Sequence, residues 1–250
     1  MWNDLNTGAY EGMIAETISL RGYGDDPIRA YYSRPLGGGR HPGLVLIPHM
    51  PGWDEWCREA ARRFTQHGYA VVCPDIYARV GTGTPVEVSM KSRELGGRPD
   101  DQVMGDTKAS QDFLKLSPES NGKVGVIGMC SGGRHAFLAA CTVEGFDAAV
   151  DCWGGGIMNP PGNAPIDHTE DLACPLLGIF GNDDQHPTPE EVDRLEEALK
   201  KHNKDYTFYR YDGAGHGIWY YDKPMYRQAQ AMDSWNKCQE FLDAHLKEPS

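Results

Sequence analysis

Short apolar runs alternate with longer amphipathic stretches along most of the chain, the rhythm of strands and helices in a mostly parallel sheet. Gly43-Leu-Val-Leu-Ile-Pro48 reads as a buried strand, followed by a helix from Glu55 to Gln66. Tyr69-Ala-Val-Val-Cys-Pro74 is a second strand and Asp101 to Leu116 a second helix. Lys123-Val-Gly-Val-Ile-Gly128 is a third strand, feeding a helix from Gly132 to Cys141. Phe146 to Cys152 and Pro175 to Phe180 follow as the fourth and fifth. Glu190 to His202 is amphipathic, with Val192, Leu195 and Leu199 on one stripe. Tyr206 to Tyr211 closes the sheet and Met225 to Leu246 supplies a last helix. Ahead of all these, Ile14 to Leu20 and Ile28 to Ser33 read as an antiparallel hairpin at one edge. The pattern specifies one α/β domain over residues 1–250.

One stretch breaks the rhythm. From Arg79 to Asp101 the chain carries Gly81-Thr-Gly-Thr-Pro85 and Gly96-Gly-Arg-Pro99, punctuation that marks loops. It follows a strand at the sheet's carboxyl end, where ligands bind in open α/β sheets. A rim or lid over residues 79–101 is the functional reading; an irregular surface loop is the plain one.

Composition narrows the classes of function. A net charge of −12 argues against a nucleic-acid surface, because phosphate binding needs clustered Lys and Arg. No apolar run reaches the roughly 18–20 residues that span a bilayer, so no membrane association is expected. The segment Met1 to Tyr10 is polar and acidic, without the basic and apolar regions of an export signal. The seven cysteines are odd in number and irregularly spaced, several inside apolar runs, which points to free thiols in a reducing cytoplasm. With no C-x-x-C pair and no H-E-x-x-H, neither metal nor cofactor is expected.

Gly128-Met-Cys-Ser-Gly132 stands between a Val/Ile strand and a small-residue helix, the context of a nucleophile elbow. Glycines flank Cys130 because a sharp strand-to-helix turn leaves no room for neighbouring side chains. The helix N-terminus behind the turn favours a thiolate, and the N–H of Ser131 can face a developing oxyanion. A glycine-rich turn with an incidental Cys is the competing view. Two further signals follow in the order nucleophile, acid, base. Gly181-Asn-Asp-Asp184 ends one strand, and Asp212-Gly-Ala-Gly-His-Gly217 ends the last. A single such Asp could cap the helix near Pro189 and a single such His could merely be solvated. Three in order at three strand ends specify Cys130, Asp184 and His216 as a nucleophile, acid and base.

These motifs, with Gly68-Tyr-Ala-Val-Val-Cys-Pro-Asp-Ile-Tyr77 and Asn121-Gly-Lys-Val-Gly125, make the chain resemble the dienelactone hydrolase family from about His41 to the last helix. The resemblance implies an α/β-hydrolase fold and hydrolysis of a small-molecule ester or lactone. By carry-over, Cys130 attacks the carbonyl, His216 moves the proton, and Asp184, not Asp183, holds the imidazole. Met50 and Ser131 supply the oxyanion hole. Two positions depart from the family. His49 stands where a Glu contacts the resting thiol, and Tyr220 stands where an Arg holds the substrate carboxylate. Arg79, Arg98 and Arg134 are candidate substitute cations. Trp53, Trp153, Trp219 and Tyr220, with His49, are the expected pocket residues and favour a flat apolar acyl group. Acyl transfer, C–C cleavage by the same three residues, or simple ligand binding on the fold are the alternatives.

Overall fold

Strands β1 (Met13–Arg21), β2 (Pro27–Pro35), β3 (His41–Ile47), β4 (Ala70–Pro74), β5 (Ser120–Met129), β6 (Ala148–Cys152), β7 (Leu176–Gly181) and β8 (Tyr206–Tyr211) form one sheet. Its order is β1-β2-β4-β3-β5-β6-β7-β8. These positions come from a computed structural model, which describes residues 12–160 and 163–247. The segment Met1 to Tyr10, read above as lacking an export signal, lies outside them. The hairpin β1–β2 sits at the edge, β2 runs antiparallel to β4, and β3 to β8 pair in parallel. This is the α/β-hydrolase architecture. No helix among the described residues is long and apolar enough to cross a membrane.

The parallel strands read as continuous apolar runs because both faces are covered. Alternate residues of β3 separate accordingly. Val45 and Ile47 join one core beneath α3 (Asp100–Leu116), α4 (Ser131–Thr142) and α5 (Pro189–Lys201). Leu44 and Leu46 join the other, beneath α1 (Glu55–Gln66) and α6 (Gln228–Leu246).

The stretch 79–101 contains a helix, α2 (Pro85–Glu94), that the hydrophobic pattern did not reveal. Only Ser89 and Ser92 are buried in it, so it has no apolar stripe to read. Its signal is at the start instead: Thr84 and Glu87 form a capping box and Pro85 occupies the first turn.

Six parallel strands end along one edge, at Ile47, Pro74, Met129, Cys152, Gly181 and Tyr211. The chain leaves β3 for β4 on one side and returns to β5 on the other. The residues after β3 and β5 therefore meet at a topological switch point.

Candidate active site

Cys130 occupies that switch point with φ 57° and ψ −125°, a left-handed backbone that an L-residue adopts only when its surroundings impose it. The glycines around it explain why the turn closes. A Cβ on Gly128 would lie 2.0 Å from the Gly132 carbonyl oxygen, and one on Gly132 2.3 Å from that of Ile47. A Cβ on Gly133 would strike Asp151 at 2.3 Å. Helix α4 thus begins pressed against the ends of β3 and β6. Cys130 is half-buried, whereas the other six thiols are buried and none is in a disulfide.

The surroundings of the sulfur decide its charge. Burial disfavours a thiolate, yet the His216 imidazole and the backbone N–H groups of Ser131 and Met50, all aimed at the sulfur, outweigh it and lower the thiol pKa. For His216, burial likewise opposes the charged form, but bonding to Asp184 and Cys130 raises the imidazolium to about 10. Its Nδ1–H donates to Asp184 Oδ2 at 2.9 Å. Asp184 is only 3 % exposed, and its Oδ1 accepts the His186 N–H at 2.9 Å. Helix α5 is capped by Thr188 and Glu191, so Asp184 is not spent as its cap. Cys130, His216 and Asp184 are therefore brought together, with Met50 and Ser131 beside the sulfur.

The family model for "Dienelactone hydrolase family" matches residues 28–246. The chain belongs to the dienelactone hydrolase family. A Methylorubrum extorquens protein provisionally named a carboxymethylenebutenolidase is 31% identical over 92% of this chain and 81% of its own. A Synechocystis protein with the same provisional name is 26% identical over 88% of this chain and 93% of its own. The crystal structure of a provisionally named dienelactone hydrolase from Klebsiella pneumoniae superposes with a TM-score of 0.84 at 26% identity. It covers 92% of this chain and 98% of that one. This dienelactone hydrolase-family chain is a hydrolase acting on small-molecule lactones or esters.

Around the sulfur the family member has its own arrangement. His49 is 3 % exposed and both ring nitrogens are engaged: Nδ1 lies 2.7 Å from the Tyr220 hydroxyl and Nε2 3.0 Å from Asp54 Oδ2. Asp54 caps α1 by accepting the Cys57 N–H at 3.0 Å. His49, Asp54 and Cys57 have donor atoms within 4.8 Å of one another, but hydrogen bonds already occupy the first two. Trp153, at φ 43°, meets Trp219 and Tyr220 edge-to-face, and its buried indole is directed at the Tyr220 hydroxyl. Trp219 instead donates to Ser234 Oγ at 2.8 Å.

Trp53 stands apart from that cluster. Its N–H donates to the Cys73 carbonyl, and its ring carries Arg29 and Arg58 at the wall of a cleft of about 450 Å³ shared with Tyr77 and Pro85. Sequence reasoning also passed over Tyr77. Its hydroxyl donates to the carbonyls of His49 and Met50, at 2.9 and 3.3 Å, and so fixes the loop that aims the Met50 N–H. Its place two residues beyond Asp75 in the quoted family segment was the only sequence signal.

The three candidate cations separate cleanly. Arg79 is paired with Asp26 and Asp106, and Arg134 is bidentate to Asp100. Arg98 lies 4.2 Å over the Tyr77 ring, with Nε and Nη1 buried and lacking hydrogen-bond partners. Burial lowers its pKa, and Tyr77 and Cys130 offset that in part.

Proposed function

We propose that the chain hydrolyses its ester or lactone through a thioester on Cys130, with His216 and Asp184 as base and orienting acid. What carries this reading is the Asp184 carboxylate 2.9 Å from His216 Nδ1, with the same imidazole among the groups that lower the pKa of the Cys130 thiol. The thiolate forms a bond to the carbonyl carbon, and the carbonyl π pair moves onto oxygen, held by the Met50 and Ser131 N–H groups. Collapse breaks the C–O bond, and the imidazolium gives its outward proton to the departing alkoxide. In a lactone that alkoxide stays tethered as a hydroxyl. Water then passes a proton to His216 and attacks the thioester; collapse breaks the C–S bond, restores the thiolate–imidazolium pair and releases the carboxylic acid, which gives its proton to solvent. Asp184 keeps one ring nitrogen protonated throughout.

Arg98 narrows the substrate class. A buried guanidinium with no carboxylate partner among the described residues favours a substrate carrying an anionic or oxygen-rich group near its ester. It comes from segment 79–101, which we read as the rim of the site. Trp153, Trp219 and Tyr220 supply the apolar wall. The buried free thiols accord with a cytoplasmic setting.

A panel of nitrophenyl esters and lactones, quenched in acid and analysed by mass spectrometry, tests the reading. It should give an acyl adduct on the peptide containing Cys130, and Cys130→Ala should lower turnover by several orders of magnitude. Turnover retained in that variant, or an adduct elsewhere, overturns the assignment.

A further inference from the structure

Two residues beyond Arg98, a carboxylate ties the segment 79–101 to the helix that follows the elbow. Asp100 is the first residue of α3, and its two oxygens face three donors from the start of α4. Oδ1 accepts Arg134 Nη1 at 2.6 Å and lies 3.2 Å from His135 Nε2, and Oδ2 accepts Arg134 Nη2 at 2.8 Å. Arg134 and His135 stand four and five residues after Cys130. Arg134 also reaches the loop after β6, where Nε donates to the Gly156 carbonyl and Nη2 to that of Asn159, both at 3.2 Å. Its side chain is 13 % exposed. None of the steps above uses this cluster.

The chain between Arg98 and Asp100 is stiff, and the chain before Arg98 is not. Pro99 has φ −58°, locked by its ring, and a residue that precedes a proline is confined to extended backbone. Arg98 therefore has little freedom relative to Asp100. On its other side stand Gly96 and Gly97, at φ +88° and +96°, where a Cβ would meet nothing within 4 Å. Their N–H groups bond back to Arg93 and Ser92 of α2, not to the body of the protein. Helix α2 itself buries only Ser89 and Ser92, which gives it little apolar surface to hold the segment in place. The Arg98 guanidinium lies 4.2 Å over the Tyr77 ring, and a cation–π contact alone is a modest tether. Its firm anchor is on the Asp100 side. A bidentate guanidinium–carboxylate pair is directional, and parting the two groups would leave each charge without its partner in a half-buried place. Because Arg134 belongs to the first turn of α4, this anchor fixes Arg98 relative to the elbow.

We propose that Asp100 and Arg134 are positioning residues for Arg98, which hold its guanidinium at the site and so set the preference for a substrate carrying an anionic group. This rests on the Arg98 reading above and deepens it. It gives Arg134 a task other than contact with the substrate, since Asp100, Gly156 and Asn159 take its donors.

The test compares mono-nitrophenyl glutarate, which carries a free carboxylate, with the neutral nitrophenyl valerate, uncatalysed hydrolysis being subtracted. The wild-type protein should prefer the glutarate in kcat/KM, and Arg98→Met should lower that preference about 10- to 100-fold. Asp100→Asn should lower it about tenfold, through KM for the glutarate. In the same variant, kcat/KM for the valerate and the rate of Cys130 alkylation by iodoacetamide should stay within about twofold of wild type. The Arg98→Met, Asp100→Asn double variant should lose no more preference than Arg98→Met alone. A wild-type preference in Asp100→Asn overturns the proposal. So does an equal fall for both esters, the mark of a merely structural role, or multiplication of the two losses in the double variant. Asp100→Asn combined with Arg134→Gln removes both charges and leaves neither buried alone; if Asp100→Asn fails to fold, this pair must show the same loss. The Arg98 reading fails separately. A wild-type preference in Arg98→Met sinks that reading and this inference with it, whereas a preference lost in Arg98→Met but kept in Asp100→Asn sinks only this inference.

Discussion

Asp183 and Asp184 follow the same strand side by side, yet only one of them can orient His216. The Asp183 backbone N–H bonds to the Ala214 carbonyl, while the buried Asp184 carboxylate meets the imidazole at 2.9 Å. Asp184→Asn should therefore lower kcat by roughly 10⁴, the loss expected when an imidazole is left in the wrong tautomer. Asp183→Asn should stay within a few-fold of wild type. Steady-state rates of the two purified variants check the pair, and the opposite ranking would move the acid by one residue. This register was legible in Gly181-Asn-Asp-Asp184 only through resemblance. In the sequence itself, two adjacent acids after a strand are equivalent until the partner histidine, 32 positions on, folds back against one of them.

At the level of elements, the turn into α4 depends on three backbones touching. Gly132 lies where a Cβ would be 2.3 Å from the Ile47 carbonyl oxygen and 2.9 Å from that of Pro48. Neither obstacle is the movable end of a side chain. Gly132→Ala should displace the end of β3, and with it the Met50 N–H, from the sulfur. A loss of about 1–3 kcal/mol in stability is expected from the overpacking, together with a fall in kcat exceeding that in KM. Urea unfolding and steady-state kinetics on one preparation would show both; a variant with wild-type kcat would mean that the elbow tolerates the shift. The strands and the elbow could be read from the chain because both are local patterns. Helix α2 could not, since its buried residues are two serines and its stability begins with the Thr84–Glu87 cap.

For the molecule as a whole, Asp151 links the elbow to pH. It ends in a fully enclosed position on β6, accepts the Gly154 N–H at 2.8 Å, and leaves its second oxygen without a partner. Burial raises its pKa to about 7, only partly offset by that hydrogen bond. The folded state therefore holds a proton that the unfolded chain releases near pH 4. The contribution is favourable in acid and is lost as pH rises from about 4 to about 7, after which the slope vanishes. Integrated over that window, the group costs about 4 kcal/mol at pH 8 relative to pH 4. Asp151→Asn removes the titration. Its stability relative to wild type should rise steadily across that interval, as measured by urea unfolding at pH 4.5, 6 and 8. A constant difference would show that Asp151 does not titrate there.

The sequence by itself determined what depends on neighbours along the chain. Apolar alternation set the strands, glycine spacing set the elbow around Cys130, and the order of motifs set the α/β-hydrolase fold. It also named His49 and Tyr220 as unusual. Only the tertiary structure decided what surrounds those two, because they lie 171 positions apart and share a hydrogen bond only where the segment after β8 folds back to the residues that follow β3. The same holds for the arginines. Arg79, Arg98 and Arg134 are equal as letters, and their surroundings diverge because Asp26, Asp106 and Asp100 neutralise two of them, while the third lies over the Tyr77 ring with no carboxylate partner among the described residues. Charge compensation depends on distances through space, and those exist only once the chain has folded.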